Sequence, residues 1–148
     1  MFATTTISIR LVIGASGGPR IITSTAWVAM QHLLLNKNIK EAIDEPRLHH
    51  QLLPMKLYHE KLMSKVRYSI VSFFFKYQFS SNAKYSYSKP LQGIVEYLKQ
   101  MGHNMSQIDP YFDHTGYYGG RVQAIATNEY NILTANNDRR KSGSNDGF

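Results

Sequence analysis

The sequence predicts an α/β (α+β) fold in which helices cover a sheet. Three observations carry that prediction. A β-branched run ends in a glycine turn that opens into a helix. Helix-like and strand-like runs then succeed one another along the chain. Two strand-like runs near the C-terminus face each other across a short turn, as a hairpin does. With 148 residues, 43% of them hydrophobic, the chain suits one domain with a buried core.

Each element has its own signal. Ile7 to Ile13 is rich in β-branched residues and reads as a buried strand. Gly14 to Gly18 reads as the turn. From about Ile21 to Leu35 the spacing is helical, and Ile22, Trp27, Met30, Leu33 and Leu34 are expected on the buried face. Asn36 to Asn38 breaks that helix. "IKEAIDEP" gives a second, short helix stopped by Pro46. "RLHHQLLP" is expected to run extended to Pro54, and Met55 to Glu60 alternates like a strand.

Val66 to Ser88 breaks the pattern. It holds four of the seven Phe and four of the ten Tyr, with no acid, Gly or Pro. Its segment "SIVSFFFKYQF" reads as a strand prone to aggregate if exposed. After Pro90, "LQGIVEYLKQMGH" reads as an amphipathic helix with Leu91, Ile94, Val95 and Leu98 on one side and Gly102 as its stop. "SQIDPYFDHTGYYGG" is turn-rich. "RVQAIATN" and "YNILTANND" form the hairpin across an Asn-Glu turn. No internal repeat is present.

Composition excludes several classes. There are no cysteines, hence no disulfide, thiolate metal site or cysteine nucleophile. The six His show no metal-ligand spacing, since His49 and His50 are adjacent and point apart. No apolar run reaches the length of about 18 residues that spans a bilayer. "MFATTTISIR" lacks the basic start and apolar block of a secretory signal. The net charge of +7 invites a nucleic-acid surface. Its only dense block is "NDRRKSG", Asn137 to Gly143, read here as a solvated basic face with no nucleic-acid partner.

The glycine turn admits three readings. Gly14-Ala15-Ser16-Gly17-Gly18 matches G-x-S-x-G, the nucleophile elbow of α/β hydrolases, with Asp109, Asp113 and His114 downstream in the order a triad would need. Yet only thirteen residues precede Gly14, too few for the strands that such an elbow follows. A phosphate-binding loop would need G-x-G-x-x-G, or a Lys followed by Ser or Thr, and neither is met. In the third reading Gly17 and Gly18 open the helix, and their free N–H groups form an oxyanion hole. The plain alternative is a tight turn whose glycines serve only backbone angles.

Longer motifs go further. "LVIGASGGPRIITSTAWVAMQHLLL" and "IKEAIDEPRLHHQLLP" carry a G-[AS]-x-G-G turn at Gly14 to Gly18, an Ile22-Thr23 helix start, and an A-[IV]-x-x-P-R-[LIF]-H-x-Q run from Ala42 to Gln51. "VQAI" and "NNDRRKSG" add closing strands and a D-x-R-[KR]-x-G ending. Over roughly residues 9–65 and 90–148 the chain resembles the γ-glutamyltransferases, or glutathione hydrolases.

The resemblance implies an N-terminal-nucleophile hydrolase fold, a four-layer αββα sandwich. It implies a precursor cut into large and small subunits, the new N-terminal threonine of the small subunit attacking the γ-glutamyl amide of glutathione. The threonine's own amine serves as base. The acyl group passes to water, an amino acid or a dipeptide, with no metal or organic cofactor. Gly17 and Gly18 match the paired glycines whose N–H groups form the oxyanion hole and face substrate. Pro46, Arg47 and His49 match residues that hold the segment after the short helix. Family members act outside the cell or at the plasma-membrane surface.

The departures are equally specific. The family nucleophile lies in a Thr-Thr-His-like motif well upstream of the turn. Thr4, Thr5 and Thr6 are followed by Ile7, without the His and too near the strand. The acidic residue that grips the substrate α-amino group, the serine pair for its α-carboxylate and the large subunit have no counterpart. The expectation is therefore the C-terminal part of a small subunit, a partial sandwich lacking its nucleophile, inactive alone and poorly soluble because a sheet edge and an apolar face lie open. The alternatives are a non-catalytic interaction subunit that pairs with a large subunit, and a basic nucleic-acid-binding domain. Deleting residues 66–89 joins "HEKLMSK" to "PLQGIVEY" without a break, and Val66-Arg67 can be encoded by a splice-donor sequence, so this stretch is expected to be an insertion or a retained intron.

Overall fold

The structure is a computed structural model, and it describes residues 9–61, 94–109, 119–128, 130–141 and 143–144. The chain forms two compact units, Met1–Glu45 with Gly119–Phe148, and Pro46–Tyr118. The mixed α/β class expected from the sequence is the observed one: each unit carries a small sheet, and helices account for the rest of the regular structure among the described residues.

The first unit is built on an antiparallel sheet ordered β1-β5-β6, with β1 Leu11–Ser16, β5 Arg121–Thr127 and β6 Leu133–Asn137. β1 pairs with β5 from Leu11↔Ala126 to Ser16↔Arg121, and β5 with β6 from Gln123↔Asn137 to Thr127↔Leu133. Alternation fixes the two faces. Leu11, Ile13 and Ala15, with Val122, Ala124 and Ala126, turn inward against Val28 of helix α1 (Arg20–Leu33) and Ile39, Ala42 and Ile43 of helix α2 (Ile39–Asp44). Val12, Ile125 and Leu133 lie exposed.

β1 runs three residues beyond Ile13, through Gly14, because pairing with β5 continues to Ser16. The turn is correspondingly shorter than the expected Gly14 to Gly18. α1 differs more. Its buried residues are Arg20, Ser24, Trp27, Val28 and Gln31, whereas Ile22 is 76% exposed and Leu33 and Leu34 are exposed too. The expected face fails at Ile22, Leu33 and Leu34, while Trp27 is buried and Met30 half-buried. Hydrophobic periodicity weights apolar side chains, and most of this helix's buried stripe is polar, so the period pointed to the wrong side.

α2 forms where expected. Asn38 caps it, its side-chain oxygen accepting from the Glu41 N–H at 2.8 Å. Glu45 is already extended, ψ 144°, as the residue before a proline must be. Lys37 pairs with Glu45, and Lys40 with Asp44 one turn away at 2.7 Å. The hairpin loop runs from Asn128 to Ile132, longer than an Asn-Glu turn. The Asn128 carboxamide accepts from the Tyr130 and Ile132 N–H groups, and Asn131 is left-handed at φ 59°, which delays β6 to Leu133.

The second unit has a sheet ordered β2-β3-β4, with β2 Leu48–His49, β3 Leu57–Glu60 and β4 Met105–Ile108. β2 and β3 are antiparallel. β3 and β4 are parallel, with helix α3 (Ile94–Gln100) between them in the chain. α3 buries Ile94, Val95 and Leu98, as its periodicity predicts. It closes with Gly102 N–H on the Lys99 carbonyl and His103 N–H on the Leu98 carbonyl, the two bonds of a Schellman stop.

Two expectations fail in this unit. The run to Pro54 is not extended throughout, since Leu52 sits at φ 71° and residues 52–55 bend. Met105 to Ile108 is a strand, not part of a turn-rich stretch, because its partner β3 specifies it rather than its own short, polar sequence. Thr4 to Thr6, Leu91, Asp113, His114 and residues 66–89 lie outside the described residues.

Candidate functional site

The site forms where β1 hands over to α1. β1 ends at Ser16, opposite Arg121 at the start of β5. The chain then turns through Gly17 at φ +127° and Gly18 at φ +58°. Side chains disfavour both conformations, and neither belongs to a right-handed helix. The glycines therefore do not open α1, as the sequence suggested. They precede it, and Pro19 at φ −59°, ψ −20° makes the entry.

Their carbonyls turn onto the helix. Gly17 accepts from the Arg20 N–H at 3.2 Å and Gly18 from the Ile21 N–H at 3.0 Å. Their N–H groups are left over, and among the described residues neither donates a hydrogen bond. α1 has no side-chain cap and no acid in its first turn, so nothing of its own neutralises the positive end of its dipole.

The two glycines differ in their surroundings. A Cβ on Gly17 would lie 3.0 Å from the Gly120 Cα and 3.2 Å from the Gly119 carbonyl oxygen. A Cβ on Gly18 would meet nothing within 4 Å among the described residues. Gly17 is the packed half of the turn and Gly18 the open half. Gly120 is as constrained as Gly17, because a Cβ there would fall 2.0 Å from Ser24 Oγ and 2.8 Å from the Arg20 carbonyl oxygen.

Ser16 has none of the geometry of an elbow nucleophile. It ends a regular strand, and the non-glycine residues at positive φ are Asn36, Leu52 and Asn131 among the described residues. The strained turn that aims an elbow serine is absent at this position. Asp109 follows β4 in the other unit.

The basic C-terminal segment is the expected solvated face only in part: Arg139 and Lys141 are exposed, but Arg140 is not. Arg140 is 5% exposed. Its Nη1 donates to the Ile43 carbonyl at 3.0 Å and to Asp138 Oδ1 at 2.9 Å, and its Nη2 donates to the Glu45 carbonyl at 2.9 Å. The guanidinium thus satisfies carbonyls at the C-terminal end of α2. Asp138 is buried as well. Its Oδ2 accepts from the Val122 N–H at 2.9 Å and its Oδ1 from the Arg140 N–H at 3.0 Å. Arg139 stays half exposed and reaches the Asp44 carbonyl at 3.3 Å. Charge counting missed this, because it cannot tell a planar donor aimed at carbonyls from a solvated cation. The D-x-R spacing was the available signal.

Arg47 and His49, both buried, lie in the segment after α2. The Arg47 carbonyl accepts from the Glu60 N–H at 3.1 Å. The His49 ring stacks on Tyr58, with centroids 6.2 Å apart, and its Nε2 lies 3.1 Å from Gln51 Oε1. His50 instead sits edge-on to His103. Among the described residues no three His, Cys, Asp or Glu side chains gather to hold a metal ion, and no helix is long and apolar enough to cross a membrane.

This architecture is that of the N-terminal-nucleophile hydrolases, the class of its structural neighbours. It superposes on the γ-glutamyltranspeptidase of Pseudomonas nitroreducens complexed with L-DON, with a TM-score of 0.63 and 25% identity, over 100% of this chain and 60% of that one. The chain belongs to the gamma-glutamyltranspeptidase family, whose model matches residues 1–148. Scoloptoxin SSD20 of Scolopendra dehaani is 38% identical over 138 residues, 93% of this chain and 53% of that protein. The glutathione hydrolase proenzyme of Escherichia coli is 43% identical over 51 residues, 34% of this chain and 9% of that protein. The chain thus spans about half of the first relative and far less of the second. The Bacillus anthracis transpeptidase CapD, 18% identical with a TM-score of 0.57 over 93% of this chain and 63% of that one, shares the fold.

Proposed function

We propose that this chain supplies the oxyanion-stabilising part of a γ-glutamyl acyl-transfer site, with Gly17 and Gly18 as its donors. The observation that carries the reading is the pair of N–H groups that find no acceptor among the described residues, beside the space that those residues leave open at Gly18. When a nucleophile adds to an amide carbonyl, the oxygen gains negative charge. Two preoriented N–H donors stabilise that charge more than they stabilise the ground-state carbonyl. The bare end of α1 adds a favourable field.

In this reading the nucleophile is a threonine on another segment, which takes the γ-glutamyl group of glutathione and releases the amine. Water, an amino acid or a dipeptide then accepts the acyl group. The chain acts as the C-terminal part of a small subunit together with a large subunit or upstream chain, outside the cell or at its surface. No metal or organic cofactor enters this chemistry. The exposed Val12, Ile125 and Leu133 suit a second sheet layer supplied by that partner.

Hydrolysis of a γ-glutamyl anilide tests the assignment. The chain alone should be inactive. Combined with an upstream family segment carrying the threonine, it should turn over. Gly18→Ala, which keeps the N–H but strains the left-handed backbone that aims it, should lower kcat by less than complete loss of one oxyanion donor does, about 10²–10³-fold. Turnover by the chain alone that Ser16→Ala abolishes would overturn the reading. A partner bound without turnover would make the chain a non-catalytic subunit. We also propose that residues 66–89 are an insertion or retained intron. A dominant spliced message that contains their codons would sink that idea.

A further inference from the structure

We propose that Asp138 and Arg140 are positioning residues for the glycine turn, acting on it through the entry of β5. The inference rests on the oxyanion reading for its functional meaning, but the coupling itself is structural and can be tested separately. β6 ends at Asn137, opposite Gln123. The next N–H to be satisfied toward the start of β5 is that of Val122, and the Asp138 carboxylate accepts it at 2.9 Å. A side chain thus continues the ladder where the strand has stopped. The Arg140 carbonyl adds a second hold by accepting from Arg121 Nε at 3.3 Å. Arg140 in turn is tied to the Ile43 and Glu45 carbonyls at the end of α2.

The consequence lies two residues upstream. Gly119 and Gly120 lead into Arg121 and press on Gly17 closely enough that a Cβ on Gly17 would sit 3.0 Å from the Gly120 Cα. On its other side Gly120 packs on Ser24 and the Arg20 carbonyl, in the first turns of α1. Ser16 pairs with Arg121 across the same strand entry. A displacement of Val122 therefore reaches Gly17 through backbone contacts that have no slack, and Gly18 through the chain. Close packing of this kind transmits small shifts rather than absorbing them. At Gly18 the turn is held by its carbonyl, which accepts from the Ile21 N–H, and at Gly17 by close packing against Gly120.

The test is a ¹H–¹⁵N spectrum of the full 148-residue chain labelled at glycine, recorded for Asp138→Asn, Arg140→Lys and Arg139→Ala. Asp138→Asn keeps an acceptor for Val122 but removes the charge that holds Arg140. Arg140→Lys removes the planar fork that spans two carbonyls. We expect the Gly17, Gly18 and Gly120 amide resonances to shift in both variants and to stay in place in Arg139→Ala, while Gly102 is unmoved in all three. Gly17 and Gly18 unmoved in folded Asp138→Asn and Arg140→Lys would overturn the proposal. So would a collapse of every glycine resonance of the first unit in both variants, which would make the pair a general support. The amide spectrum reads the coupling without substrate, so its failure and a failure of the oxyanion reading are distinguishable.

Discussion

The two helices of the first unit end in opposite ways. α2 is closed at both ends. Asn38 caps its start, and Arg140 takes carbonyls at its finish. α1 begins with a proline, no side-chain cap and two glycine N–H groups that donate to nothing described. An isolated helix gains stability from a cap, typically about 1 kcal/mol. A helix start that forgoes one leaves donors for something else to bind, which is the role proposed for this one. Under the proposed reading, the contrast separates polar residues that build the unit from backbone groups offered to a reaction.

The sharpest way to break that contrast is to open the closed end. Arg140→Ala leaves the Asp138 carboxylate buried without its cation and frees carbonyls at the end of α2. Losing one partner of a buried pair costs about 3–5 kcal/mol. The midpoint of chemical denaturation should fall accordingly. At the open end the cost divides within the turn. Gly17→Ala combines strained backbone at φ +127° with a Cβ 3.0 Å from backbone, and should cost about 1–3 kcal/mol. Gly18→Ala meets only left-handed strain, about 1–2 kcal/mol, and its larger effect should fall on kcat. Equal losses of stability at the two glycines would erase the distinction between packed and open halves. Asn38→Ala should cost about 1 kcal/mol, read from the same denaturation curves.

What could be read beforehand follows from which interactions are local. α2 was legible because the break before it and its proline stop lie within eleven residues, Asn36 to Pro46. α3 was legible through Ile94, Val95, Leu98 and the glycine stop. β4 was not, because Met-Ser-Gln-Ile becomes a strand only by pairing with Leu57–Glu60 far away in the chain. The buried face of α1 was misread for a related reason. Arg20, Ser24 and Gln31 are buried by their tertiary setting, which no hydrophobicity pattern contains. At the site the glycine pair was visible as a motif, whereas the closeness of Gly120 to Gly17, about a hundred residues apart, belongs to the fold alone.

The smallest expected effect is also the most exacting control. Arg139 and Arg140 are adjacent, carry the same group, and both reach α2. They differ in burial, since the Arg139 side chain is 51% exposed and that of Arg140 1%. Arg139 donates to the Asp44 carbonyl at 3.3 Å and lies 4.0 Å from its carboxylate. Water can replace both contacts when the side chain is removed, and an exposed ion pair contributes little against the entropy of holding it. Arg139→Ala should therefore change stability by no more than about 0.5 kcal/mol. If it instead matched Arg140→Ala, the stabilisation would come from the summed positive charge near the end of α2. The directed donation by one buried fork, on which the closed end of α2 is argued, would then have to be given up.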